Sequence, residues 1–217
     1  MVSVPVRKQD YDSVLSGAIK ALPDRSSLPF ETGERGQAAE SLARYLILAR
    51  VPNLNVAAEI NSASARLIAS YAEVNGKGKP IAGLAEADIA AVNDYVEKQL
   101  GAPAKNEGKT YTIDEVKKEA IVNHYPNLEA LGLQFSEINP KPFRSSLIVP
   151  LLLQRIDGLD ASVQVNQAVK VLEDGYKGVP KANGTEVEEV EAQSITRIAR
   201  EKTGEAITAL LGSKITY

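Results

Sequence analysis

Gln37-Ala38-Ala39-Glu40-Ser41-Leu42-Ala43-Arg44-Tyr45-Leu46-Ile47-Leu48-Ala49-Arg50 is the stretch on which the fold turns. Ala, Leu, Glu and Arg are strong helix formers, and neither Gly nor Pro interrupts them. Leu42, Tyr45, Leu46 and Ala49 recur at three- and four-residue spacing and predict a buried stripe. Ile47 and Leu48 widen that stripe beyond one face, so this helix is expected at the centre, contacted from more than one side.

On the N-terminal side, Pro23 to Gly36 holds Pro, Ser, Asp and Gly with only Leu28 and Phe30 as anchors, and reads as a surface crossing. Before it, Tyr11, Val14, Leu15, Ala18, Ile19 and Leu22 share one face of a helix from about Asp10 to Leu22, stopped by Pro23. Val2, Val4 and Val6 alternate around Pro5 in an extended arm.

On the C-terminal side, Asn53 or Asn55 is placed to cap a helix to about Val74, which Asn75-Gly76 ends. Its inward residues are Ile60, Ala63, Leu67, Ile68, Tyr71 and Val74. Ile89, Val92, Val96 and Leu100 predict a helix over 85–100, closed by Gly101, and a polar link runs from Ala102 to Lys109. Thr112-Ile113-Asp114-Glu115 is a capping box opening a helix to about His124. A short turn of helix over Leu128 to Leu131 and an irregular piece over Leu133 to Ile138 lead to Pro140 and Pro142. Ser146 to Leu153 reads as a buried helix started or kinked at Pro150.

Asp160 is placed to cap the next helix, with Val165, Val169, Leu172 and Tyr176 inward. A second capping box, Thr185-Glu186-Val187-Glu188, is expected to open a final helix to Leu211, bent or split at Gly204. The fold expectation is therefore all-α, with about eight or nine helices. They form one helical domain over 10–211, with a subdivision near 102–109 as an option, between extended arms at 1–9 and 212–217. The second arm ends in Ile215-Thr216-Tyr217.

Hydrophobic residues make up 44% of the 217 and charged residues 24%, the balance of a folded globular chain. With three Phe and no Trp, the core must be built from small aliphatic side chains, and platforms for stacking bases or sugars are mostly missing. A net charge of −3 gives no global attraction to phosphate backbones, so nucleic acid is not expected as a partner. No apolar run is long enough to span a membrane, and Met1 to Lys8 lacks the apolar stretch of a signal peptide. The expected location is cytoplasmic, or a particle assembled there.

Zero Cys removes disulfides, thiolate metal sites and cysteine nucleophiles. His124 is the single histidine, so no multi-histidine metal site can form within one chain. Beside Tyr125-Pro126 at a helix end, it reads as a capping group. Glu186, Glu188, Glu189 and Glu191 read as the acidic start of a helix. Gly76-Lys77-Gly78-Lys79 could offer backbone amides and ammonium groups to an anion, yet it lacks the Walker order and follows a helix. Lys77, Gly78 and Lys79 are the candidate ligand-binding residues, with an exposed turn as the plainer reading.

Lys77-Gly78-Lys79-Pro80-Ile81-Ala82 and Lys177-Gly178-Val179-Pro180-Lys181-Ala182 share Lys, Gly, Pro and Ala at equal offsets. Shared turn chemistry accounts for this more simply than duplication of a helix-loop-helix unit.

No catalytic residue, metal site or cofactor is assigned. The expected function is a non-enzymatic structural or assembly subunit that contacts itself or other protein subunits, with a viral or phage particle or connector component as one concrete form. Val2, Val4, Val6, Ile215 and Tyr217 are its candidate interface residues. The alternatives are a module for a small anionic ligand at the Gly/Lys loop and a carboxylate-based enzyme.

Overall fold

Thr32 to Leu48 forms a single helix, α2, and the sides of it that the sequence marked as apolar are buried. Ala39, Leu42, Ala43, Ile47 and Leu48 are all shielded from solvent. Three helices pack on it: α1 (Tyr11–Lys20), α3 (Ala57–Ala72) and α4 (Leu84–Leu100). The structure, a computed structural model, describes residues 8–24, 32–72, 81, 83–123 and 144–212. Most of them are helical, and no helix among them is long and apolar enough to cross a membrane.

The helix α2 starts inside the stretch expected to be a surface crossing, and Gly33 and Gly36 lie within it. A tertiary anchor outweighs the weak local propensity here. Arg35 in this first part reaches Asp88 of α4 at 3.1 Å and the Pro23 carbonyl at 2.9 Å. Of the two candidate caps for α3, Asn55 is the one used, its Oδ1 accepting from the Ala57 amide at 3.1 Å. Asn53 instead takes a left-handed backbone with φ 62° and ties down the polar link. It donates its amide to Asn106 Oδ1 at 2.8 Å and accepts from the Glu107 amide at 3.0 Å. Where α1 crosses α4, Gly17 leaves room for the Tyr95 ring, which a Cβ there would displace.

The chain divides into two compact units, Met1–Thr110 with Ile156–Asp160, and Tyr111–Arg155 with Ala161–Tyr217. Within the first, the two-residue strand β1 (Gln9–Asp10) pairs in parallel with Leu159–Asp160, and another two-residue strand, β2 (Leu54–Asn55), precedes α3.

The second unit opens with β3 (Tyr111–Thr112) and α5 (Ile113–Lys118), started by the expected capping box of Thr112 and Glu115. The helix does not run on in α geometry, because Glu119–Asn123 is a π turn. Its carbonyls at Ala120 and Ile121 accept from buried Arg144 at 3.0 and 3.4 Å. The helix α6 (Ile148–Leu153) carries Pro150 in its first turn, where a missing amide proton costs nothing. Leu159–Asp160 is the fourth strand, β4, so Asp160 stands one residue before the N-cap position of α7 (Ser162–Tyr176), as Asn55 does before α3. That position belongs to Ala161, which makes no side-chain cap.

The last helix, α8 (Glu189–Leu211), also starts later than the sequence suggests. Residues 177–187 fold back on themselves, with Gly178 and Val179 exchanging backbone bonds with Val187, and Lys181 with Thr185. This holds Val187 buried in extended backbone, so the helix opens only beyond it, on a capping box of Glu188 and Glu191. Thr185 turns its hydroxyl to Asn183 instead. The helix passes Gly204 without a break.

Among the described residues the elements run, in chain order, β1, α1, α2, β2, α3, α4 and then β3, α5 with its π turn, α6, β4, α7, α8. The same plan occurs twice. At one constant offset, Leu46, Leu48, Arg50, Leu54, Ala63, Leu67 and Tyr71 recur as Leu151, Leu153, Arg155, Leu159, Ala168, Leu172 and Tyr176. Asn53 and Gly158, at matching places in the turn, both have positive φ, 62° and 76°. Arg50 donates from Nε and Nη2 to the Gly101 carbonyl at the end of α4, at 3.1 and 2.9 Å. Arg155 donates from Nη2 to the Gly212 carbonyl at the end of α8. Gly101 and Gly212 share a backbone, φ 78° and 83°, that places each carbonyl beyond its helix. Burial lowers the pKa of both arginines from the ordinary value, which marks each as a desolvated cation set on a helix C-terminus.

Candidate functional site

The chemistry of the first unit gathers around one carboxylate. On α4 the inward residues are Ala85, Asp88, Val92 and Val96, so Asp88 occupies a core position and is fully buried. A buried carboxylate is tolerated only with partners. Asp88 has Arg35 from α2 at 3.1 Å and the Tyr71 hydroxyl from α3, both on Oδ2. One side chain thereby joins three helices.

Beside this cluster, α2 and α3 leave an open groove of about 380 Å³. Glu34, Gln37, Ala38 and Ser41 line one wall, and Arg66, Ala69 and Ser70 the other. Small side chains at 38 and 69 leave the space unfilled. Ser41 and Ser70 donate back to their own helix, to the Gln37 and Leu67 carbonyls at 3.0 and 2.7 Å, which leaves the hydroxyl oxygens able to accept. Glu34 is adjacent in sequence to Arg35, and Ser70 to Tyr71, so the residues that bind Asp88 also set the position of both walls.

The second unit treats the same depth differently. Ala199 stands as far ahead of Gly212 as Asp88 does ahead of Gly101. There Tyr176 packs in an apolar cluster with Leu172, Ile195 and Ala199. This unit has a set of ion pairs at its surface loop. Lys181 bonds both oxygens of Glu191, at 2.8 and 2.9 Å, and Lys177 reaches Glu189 at 3.2 Å. The hydrogen bond from Lys181, helped by the Glu188 amide, holds the Glu191 carboxyl below its ordinary pKa. The acidic helix start is thus partly an ion-paired clasp on the loop of residues 177–187, and only Glu189 and Glu191 belong to the first turn of α8.

Among the described residues, no three His, Cys, Asp or Glu side chains gather as they would around a metal ion. The anion-loop residues Lys77, Gly78 and Lys79, the arm residues Val2, Val4, Val6, Ile215 and Tyr217, and His124 all lie outside the described residues. The groove and Asp88 were not singled out from the sequence. The available signal was an aspartate at helical spacing with Ala85, Val92 and Val96, where every neighbour on that face is apolar. Comparison of the chain with protein-family models, with curated proteins and with solved structures returns no match.

Proposed function

We propose that the protein is a non-enzymatic assembly subunit that associates with further copies of itself. The observation that carries this reading is a set of large apolar side chains left in solvent on the second unit. Val163 and Val171 on α7 are 48% and 49% exposed, and Val190 on α8 is 72% exposed. The matching positions in the first unit, Ala58 and Arg66 for the α7 pair, are small or charged, so the module does not need valine there. Among the described residues the first unit exposes one large apolar side chain, Ile68 at 37%, so the larger and more exposed set is on the second unit, and apolar side chains in solvent are the material of a contact surface.

The buried charged groups support the same view. Arg50 and Arg144 are engaged with backbone carbonyls, and Asp88 with Arg35 and Tyr71, all in roles that hold helices together. The terminal residues Val2, Val4, Val6, Ile215 and Tyr217, which the sequence alone marks as arms, are the second part of the proposed contact. A particle or connector component of a virus or phage is the concrete form this reading takes, and a cytoplasmic site of assembly goes with it.

Light scattering coupled to size exclusion tests it on the full chain. Wild type is expected to be oligomeric, and the variant Val163→Ser, Val171→Ser, Val190→Ser to lose that association while keeping its helical circular dichroism. A wild-type chain that stays monomeric up to about 100 μM, where even weak self-association is populated, overturns the proposal.

A further inference from the structure

We propose that the groove between α2 and α3 binds a small zwitterion of the free amino-acid class, with its carboxylate on Arg66 and its ammonium on Glu34. The two charges lie on opposite walls of the groove. Neither makes an ion pair with the other or with any other described residue. Elsewhere on the surface, neighbouring opposite charges do pair, as Arg44 with Glu40 and Arg197 with Glu201. An acid and a base held apart across a gap present a complementary match to a ligand carrying both charges. A guanidinium grips a carboxylate through two parallel hydrogen bonds, and a carboxylate accepts from an ammonium. Gln37 and the serine oxygens supply the remaining polar contacts. At about 380 Å³ the groove has room for one amino acid.

The second unit acts as a control built into the same chain. Its version of the plan folds around Tyr176, Ile195 and Ala199, with no buried carboxylate among the described residues of that unit. Apolar replacement of a buried ion pair is often neutral or stabilising, and the described part of the second unit fills the same depth with apolar side chains. What Arg35 and Asp88 do in the first unit is fix α2 against α3 through one shared carboxylate. That sets the groove width before a ligand arrives, which lowers the ordering cost of binding. The counterparts of the α3 wall point the same way. Arg66 corresponds to Val171, Ala69 to Asp174 and Ser70 to Gly175, and Asp174 is paired with Lys170 at 3.0 Å. Only the first unit presents the lining.

Backbone amide NMR on the full chain tests the assignment, titrating L-alanine, L-leucine, L-lysine and the dipeptide alanyl-alanine, with propionate and ethylamine as probes carrying one charge each. At least one zwitterion is expected to shift the amides of residues 34–41 and 66–70 saturably, and to bind at least about tenfold more tightly than either single-charge probe. Arg66→Gln and Glu34→Gln are each expected to weaken that binding by about tenfold or more, while Val171→Ala leaves it unchanged. Both altered residues are on the surface, and unchanged amide positions away from the groove confirm the fold of each variant. Absence of saturable shifts up to about 10 mM with every zwitterion overturns the proposal. So does equal binding by propionate or ethylamine, or unchanged binding by Arg66→Gln.

Discussion

The two units place an arginine, a terminal glycine and a buried tyrosine at matching points of one plan, yet they fill the space between those points with different chemistry. In the first, Tyr71 meets a buried aspartate that is also paired with Arg35, and in the second Tyr176 packs in an apolar cluster with Ile195 and Ala199. The shared points are mechanical. Arg50 and Arg155 each set a cation on the carbonyl end of the last helix of the unit, where the dipole favours it and the orphan carbonyl needs a donor. The differing point is not required by the mechanics, because one copy does without it. This separation of what the plan needs from what one copy adds directs attention to the α2–α3 groove.

The largest expected effect breaks the comparison at Asp88. Asp88→Ala leaves the largely buried Arg35 guanidinium without its carboxylate and is expected to cost about 3–5 kcal/mol in urea unfolding. The paired change Arg35→Leu with Asp88→Leu, which imitates the apolar second unit, is expected to recover most of that loss. A double variant as unstable as the single one would show that the first unit depends on its ion pair for folding.

A smaller effect sharpens the shared part of the plan. Arg50→Met and Arg155→Met each remove charge-assisted hydrogen bonds to a helix C-terminus and are expected to cost about 1.5–3 kcal/mol apiece. Similar losses in denaturant melts would support equal roles. A large loss for one and none for the other would confine the cap to a single unit.

The smallest effect belongs to the second unit alone. The Glu191 carboxyl is held below its ordinary value of 4.5 by Lys181, so its contribution to stability is present above 4.5 and lost as pH falls through the lowered value. Glu191→Gln is expected to flatten that part of the acid unfolding curve, followed by circular dichroism between about pH 5 and 2. An unaltered curve would assign the acid sensitivity elsewhere.

Much of the helical framework was legible because it rests on local rules. The stripe of α2, the stop at Pro23, the Thr112–Glu115 capping box and the Gly101 terminus all follow from neighbours within a turn or two. The start of α8 was misplaced because Thr185 and Glu188 satisfy the capping pattern, while a hairpin-like return at Val187 claims that backbone first. The repeat was hidden for a related reason. Its shared residues are single side chains a turn or more apart, whereas the loops that look alike, 77–82 and 177–182, share turn chemistry that any connection can use. Leu67 and Leu172, or Tyr71 and Tyr176, become a pair only once the helices that bury them are seen in the same order.

By itself the amino-acid sequence determined an all-helical chain of small aliphatic cores without thiol chemistry, because periodicity, capping and composition act over short distances. Tertiary structure alone decided that Asp88 is a buried junction, that Arg50 and Arg155 are equivalent caps, and that Arg66 and Glu34 face one groove. The physical reason is that each of these depends on partners from distant helices. A charge on a helix face is a solvated group or a buried one according to what packs over it, and that is set by the fold as a whole.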